Sequence, residues 1–160
     1  MTSTESQRFQ FAENMGLLFE RSGASKTLGR VFGYLLLSGE PKTLDEIAEG
    51  LLFSKATASL TVRQGLFLRF FEKISIPGER KDHYQANAGF WIGSMSQQID
   101  SLKEWEELVE KGLGLVDPRN TGALKNLQEM KDYFNFLCWY FSDLDEQYRR
   151  WKKGEIPRGD

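Results

Sequence analysis

The chain has 160 residues, 40% of them hydrophobic and 28% charged, and a formal net charge of −2. This composition excludes a disordered tail, and the length fits one domain, or a small domain with a helical extension. A single cysteine, Cys138, excludes an internal disulfide and a cysteine-based zinc site. The sequence has neither a run of about 18 apolar residues nor a signal-peptide pattern, so we expect a cytoplasmic protein.

Two helices are predicted before residue 40. The first spans about residues 6–21 and has apolar side chains at helical spacing. Residues 22–25 interrupt the pattern. The second helix spans about residues 26–37 and is apolar almost all round, which is typical of a helix in the centre of a domain.

A helix–turn–helix is predicted next. Thr43 with Glu46 three residues later forms a capping-box pattern, followed by a helix over about residues 44–51. Ser54 is a second N-cap residue and begins a helix over about residues 55–67.

The two faces of this second helix differ in chemistry. The inward stripe is small or apolar and comprises Ala58, Val62, Gly65 and Leu66, whereas the outward face carries Lys55, Ala56, Ser59, Leu60 and Arg63. The first residues of a recognition helix contact base edges, and its free N–H groups favour a phosphate. Arg63 can bind guanine or a phosphate, and Thr57 and Ser59 can reach either. The alternative is an ordinary surface helix with solvated charges.

A two-stranded ribbon is predicted over residues 70–76 and 83–86, with a turn at Pro77-Gly78. Arg80 and Lys81 lie at its tip, where cations on a narrow loop suit the minor groove of DNA. The alternative is a charged hairpin that resists edge-to-edge aggregation. Residues 54–84 hold six basic and three acidic side chains, which favours a nucleic-acid partner for this segment. We therefore predict a mostly α-helical, winged helix-turn-helix protein with a small two-stranded β wing.

Two long helices are predicted over residues 91–151, and this segment is acidic overall. Apolar residues in the second helix follow a heptad spacing that favours a dimer interface: Leu127, Met130, Phe134, Leu137, Phe141, Leu144, Tyr148 and Trp151. A second interpretation is that aromatic residues such as Trp105, Trp139 and Tyr140 line a pocket for a small cation. Residues 152–160 are predicted to form a flexible tail.

The sequence predicts no catalytic, cofactor or metal site. It contains neither a GxSxG motif nor a Ser/His/Asp pattern, and the acidic residues over 104–110 lack histidine or cysteine at ligand spacing. His83, the only histidine, is expected to have a structural or surface role.

Longer motifs carry a family resemblance. SKATASLTVRQG followed by ISIPGERKDHYQA resembles the recognition helix and wing of MarR-type regulators. FAENMGLLFERSGASKTLGRVFGYLLLSGEPKTLDEIAEGL, EWEELVEKGLGLV and LQEMKDYFNFL are similar to the branch of that family named after GbsR.

The resemblance implies a homodimeric transcription factor, acting as a repressor on a pseudo-palindromic operator in double-stranded DNA. Residues 1–25 would join the dimer interface, with Phe9 in contact, residues 26–90 would bind DNA, and residues 91–151 would dimerise and hold any effector, such as a small cation. The DNA-binding residues of the family correspond here to Ser54, Lys55, Thr57, Ser59, Arg63, Gly78, Arg80 and Lys81.

Two residues depart from the family pattern. Gly65 replaces a large apolar residue, and Arg69 replaces a glycine that turns the chain into the wing. Together they predict a longer recognition helix or an unusual angle of the DNA-binding head, residues 26–90. They also favour the main rival hypothesis, a winged helix that has lost DNA binding and holds another protein.

Overall fold

A computed structural model describes residues 3–157, so the first two residues and the last three of the predicted tail lie outside the described range. The chain divides into two units, the first ending at Phe90 and the second beginning at Trp91. Within the described range, no helix has the length and apolar character needed to cross a membrane. The protein is mostly α-helical, as predicted.

The elements follow one another in a simple order. The first unit contains helices α1 (Ser3–Arg21), α2 (Lys26–Ser38), α3 (Leu44–Gly50) and α4 (Lys55–Phe67), and strands β1 (Lys42–Thr43), β2 (Phe71–Ile74) and β3 (His83–Ala86). The second contains α5 (Phe90–Leu113, beginning at the boundary), α6 (Thr121–Tyr140) and α7 (Leu144–Lys152).

Helix α2 occupies the centre of the first unit, as its apolar sequence predicts. Its residues Leu28, Val31 and Phe32 are fully buried. Phe19 of α1 lies 5.7 Å from Phe32 between ring centroids, and Phe71 of β2 lies 6.5 Å from Phe32. One apolar core therefore supports the helices and the sheet.

The sheet has three antiparallel strands in the order β1-β3-β2, so the prediction of two strands is incomplete. Strand β1 pairs Lys42 with Tyr84 and Thr43 with His83. It has only two residues, too few to show an alternating pattern. Thr43 also caps α3: its N–H donates to the Glu46 carboxylate at 2.8 Å, which confirms the capping box.

The last predicted helix is interrupted, so the prediction of one continuous helix over residues 127–151 is wrong, although its apolar residues keep a heptad spacing. Helix α6 ends at Tyr140, where the N–H of Phe141 donates to the Leu137 carbonyl, and α7 begins at Leu144. Asp143 accepts a side-chain hydrogen bond from Gln147 at 2.9 Å. Short polar residues such as Ser142 and Asp143 favour helix ends, and apolar spacing alone does not reveal such a break.

Candidate nucleic-acid interface

Helix α4 begins at the predicted N-cap. The Ser54 hydroxyl accepts a hydrogen bond from the Thr57 N–H at 3.1 Å and lies 2.9 Å from the Thr57 hydroxyl. Both hydroxyls thus serve the helix start in the free protein, and Ser54 remains exposed.

The two faces of α4 are oriented as predicted. Ala58, Val62 and Gly65 are buried, whereas Lys55 and Arg63 are exposed and Ser59 is half-buried. The Arg63 guanidinium lies along the helix, with its Nε 3.4 Å from the Ser59 carbonyl oxygen. Leu60 is 65% exposed, an arrangement that suits contact with a thymine methyl group.

Gly65 allows a close contact between α4 and β2. A Cβ atom at this position would lie 2.1 Å from the aromatic ring of Phe71, which is itself buried. The glycine therefore replaces a large apolar residue at the point where the Phe71 ring packs directly against the helix backbone.

Arg69 itself turns the chain after α4. Its φ of 62° lies in the left-handed region that glycine favours, and its carbonyl accepts a hydrogen bond from the Asn87 side chain at 3.0 Å. Because α4 ends at Phe67, the prediction of a longer recognition helix is wrong.

The turn between α3 and α4 depends on a residue that the sequence analysis missed. Arg30 of α2 donates to the Leu51 carbonyl at 3.0 Å, and its guanidinium lies 4.4 Å from the centre of the Phe53 ring. It also pairs with Glu13 of α1. The available signal was an arginine in the interior of a mostly apolar helix.

The wing ends in the predicted turn. The N–H of Glu79 donates to the Ile76 carbonyl at 3.1 Å, and Gly78 has a φ of 87°. Proline and glycine therefore occupy the two central positions that a type II turn favours. Arg80 and Lys81 follow this turn and are exposed.

The sole histidine belongs to the base of the wing. His83 is buried in β3, and its Nε2 lies 2.9 Å from a carboxylate oxygen of Glu79. This position fits the predicted structural role. Among the described residues, no group of three His, Cys, Asp or Glu side chains could hold a metal ion.

Asp45 joins the start of α4 to the wing. One carboxylate oxygen lies 2.8 Å from the Lys55 ammonium, and the other lies 2.9 Å from the Lys81 ammonium. Hydrogen bonds from Lys55 and then Lys81 lower the pKa of Asp45 to about 2. The sequence analysis missed this residue, which resembles an ordinary acid in the first turn of a helix.

The residues predicted to dimerise lie in both units. Phe9 of α1 is half-buried, with the Arg30 guanidinium 5.6 Å from its ring centre. Leu137 and Phe141 line a groove together with Leu102 of α5. Met130 and Trp151 are exposed, whereas the other predicted residues of α6 and α7 are half-buried: Leu127, Phe134, Leu137, Leu144 and Tyr148.

The residues predicted for an effector pocket lie at two places. Trp105 lines the groove with Leu137 and Phe141, whereas Trp139 and Tyr140 contact Phe136, at 6.0 and 5.8 Å between ring centroids. Four of these aromatic side chains are more than half exposed: Trp105, Phe136, Trp139 and Tyr140.

Known proteins are similar to this chain in sequence. A model of the MmpR5-like MarR family transcriptional regulators matches residues 89–153. The chain is 24% identical to the HTH-type transcriptional regulator MmpR5 of Mycobacterium tuberculosis, over 87% of this chain and 85% of that protein. It is 26% identical to the HTH-type transcriptional repressor OpcR of Bacillus subtilis, over 88% of this chain and 84% of that protein.

A solved structure confirms the fold. The crystal structure of a transcriptional regulator aligns with a TM-score of 0.70 at 23% identity, covering 90% of this chain and 99% of that one. The chain is therefore similar in sequence to MarR-type transcriptional regulators, and it shares its fold with a solved transcriptional regulator.

Proposed function

We propose that this chain is a homodimeric repressor of the GbsR-like branch, which binds a pseudo-palindromic operator and occludes a promoter. Helix α4 enters the major groove, and the wing lies in the adjacent minor groove. The observation that carries the proposal is that Lys55 of α4 and Lys81 of the wing reach the same carboxylate, so the two elements present their cations side by side.

Each predicted contact has a role in this mode of binding. Arg63 contacts a guanine edge or a phosphate, and Ser54, Thr57 and Ser59 offer hydroxyls at the start of α4. Gly78 forms the turn that brings Arg80 to the minor groove. Lys55 and Lys81 contact the sugar–phosphate backbone.

The second unit supports the proposed dimer. Of its described side chains, Val109 is the one hydrophobic residue that is buried. Helix α6 alone leaves Tyr133, Phe136, Trp139 and Tyr140 more than half exposed. Because a monomer rarely exposes large contiguous apolar patches, a second copy covers this surface. The interface includes Phe9, Met130, Phe134, Leu137, Phe141, Leu144 and Tyr148, contributed by residues 1–25 and 91–151.

An effector site is a finer part of the proposal. Exposed aromatic faces attract organic cations, and Trp105, Trp139 and Tyr140 offer such faces. A small cation bound at Trp105, or at Trp139 and Tyr140 in competition with the second copy, would alter the dimer and thereby the affinity for the operator.

Fluorescence anisotropy with a random-sequence duplex pool tests DNA binding. We expect binding that weakens steeply as salt rises. The variant Arg63→Ala/Arg80→Ala should bind at least about tenfold more weakly, since a single base-reading arginine contributes about 1–3 kcal/mol.

The matched control is Arg119→Ala/Lys125→Ala, which removes the same charge from exposed positions of the second unit. It should retain most of the affinity. Unchanged affinity of the Arg63/Arg80 variant contradicts the proposed binding face. An absence of binding even at low salt would instead favour the protein-interaction module.

A further inference from the structure

Asp45 lies between two exposed cations. It lies in the first turn of α3, whose start is fixed by the reciprocal Thr43–Glu46 cap. Its two oxygens each accept from a different ammonium, Lys55 at 2.8 Å and Lys81 at 2.9 Å. The side chains of Lys55 and Lys81 are 82% and 66% exposed, so water and ions compete readily for both pairs.

The carboxylate resembles a DNA phosphate in its charge and in its pair of charged oxygens. A carboxylate spreads one negative charge over two oxygens, and a phosphodiester spreads one negative charge over two non-bridging oxygens. Two ammonium groups that converge on the first anion are therefore spaced to converge on the second. The two lysines belong to α4 and to the wing. When these elements occupy adjacent grooves of DNA, they lie on either side of one stretch of sugar–phosphate backbone.

We propose that Asp45 holds the place of a backbone phosphate in the free protein, and that Lys55 and Lys81 move from Asp45 to one phosphate when DNA binds. This inference rests on the proposed DNA binding. The carboxylate remains beside the phosphate and repels it, so Asp45 lowers the affinity for every duplex. Asp45 thus sets how strongly the protein binds DNA of any sequence.

The variant Asp45→Asn keeps the size of the side chain and removes its charge. Because the local charge rises by one, we expect the random-sequence duplex pool to bind about fivefold to tenfold more tightly at 100 mM salt. The log–log slope of affinity against salt should become steeper by about one.

Two comparisons separate this effect from a general change in charge. Asp100→Asn makes the same charge change in an exposed pair with Lys103 in the second unit and should have a much smaller effect. In a Lys55→Met/Lys81→Met background, the gain in affinity from Asp45→Asn should be smaller than in the wild-type background, since the cations that it frees are absent and only its repulsion of the phosphate is removed.

The outcomes distinguish the inference from the proposed function. If the wild-type protein binds duplex DNA and the Asp45→Asn and Asp100→Asn variants have the same affinity for it, the inference is wrong and the proposed DNA binding stands. Weaker binding by Asp45→Asn would mean that Asp45 serves only to hold the wing, which also overturns the inference. If the wild-type protein does not bind duplex at low salt, the proposed function fails and the inference fails with it.

Discussion

The Asp45 carboxyl provides a prediction that does not depend on DNA. Its pKa is lowered from 3.8 to about 2, first by the hydrogen bond from Lys55 and then by the one from Lys81. Because the pKa of Asp45 is lower in the folded than in the unfolded protein, its ionised carboxylate stabilises the fold at a pH above about 3.8. This stabilisation is lost as the pH falls from about 3.8 through about 2. NMR titration should give a midpoint of about 2 for the wild-type residue.

The variant Lys55→Met/Lys81→Met should return this midpoint towards 3.8. Asp117 is an internal control, because its pKa is lowered by Arg119, which the variant leaves intact. A wild-type Asp45 that titrates near 3.8 would show that the lysines do not hold the carboxylate in solution.

Single residues were predictable where their partners are close in sequence. The Thr43–Glu46 cap and the Ser54 cap each involve a partner three residues away, and both were predicted. Lys81 instead meets Asp45 across 36 positions, and Arg30 meets the Leu51 carbonyl across 21. Such contacts exist only after the chain folds, so no local pattern indicates them.

At the scale of elements, the packing of α4 against β2 depends on Gly65. An alanine there improves helix propensity by about 1 kcal/mol, but its Cβ would lie 2.1 Å from the buried Phe71 ring. Overpacking typically costs about 1–3 kcal/mol and dominates here, because Phe71 has little space to move. We expect Gly65→Ala to lower the free energy of unfolding in urea by up to about 2 kcal/mol.

A second glycine gives the control for this experiment. Gly93 lies within α5, and a Cβ there would meet no atom within 4 Å. Gly93→Ala should therefore leave stability unchanged or raise it by up to about 1 kcal/mol. A Gly65→Ala protein as stable as the wild type would show that the Phe71 ring moves aside freely.

Long elements were predictable from periodicity, and short or interrupted ones were not. Helix α4 has the bounds predicted from the Ser54 cap and a clear apolar stripe. Strand β1 was missed because two residues show no alternation. The break between α6 and α7 was missed because apolar residues on either side of Ser142 and Asp143 keep a spacing of three or four.

At the scale of the whole molecule, oligomerisation is the central prediction. Half-buried residues such as Phe134 and Leu137 also support their own unit, so their substitution would confuse folding with assembly. Phe136 and Tyr140 are more than half exposed and stack on each other at 5.8 Å. Phe136→Ser/Tyr140→Ser should therefore shift the protein towards monomer in analytical ultracentrifugation while its circular dichroism is retained.

The control substitution is Leu115→Ser, at a residue that is 86% exposed in the loop between α5 and α6. It should leave the dimer intact. The Phe136/Tyr140 variant should also bind DNA more weakly, because one head cannot occupy two half-sites. A wild-type protein that sediments as a monomer at micromolar concentration would contradict the proposed assembly.

The carboxylate between Lys55 and Lys81 affects how the protein searches a genome. A genome presents roughly 10⁶–10⁹ competing sites, so most copies of a regulator are held on irrelevant sequence. By weakening every such encounter, Asp45 shortens the time spent on each one and leaves more copies free to find an operator. Because Asp45 weakens operator binding by the same factor, it leaves the ratio of specific to non-specific affinity unchanged and instead speeds the search, although no atom of Asp45 contacts a base.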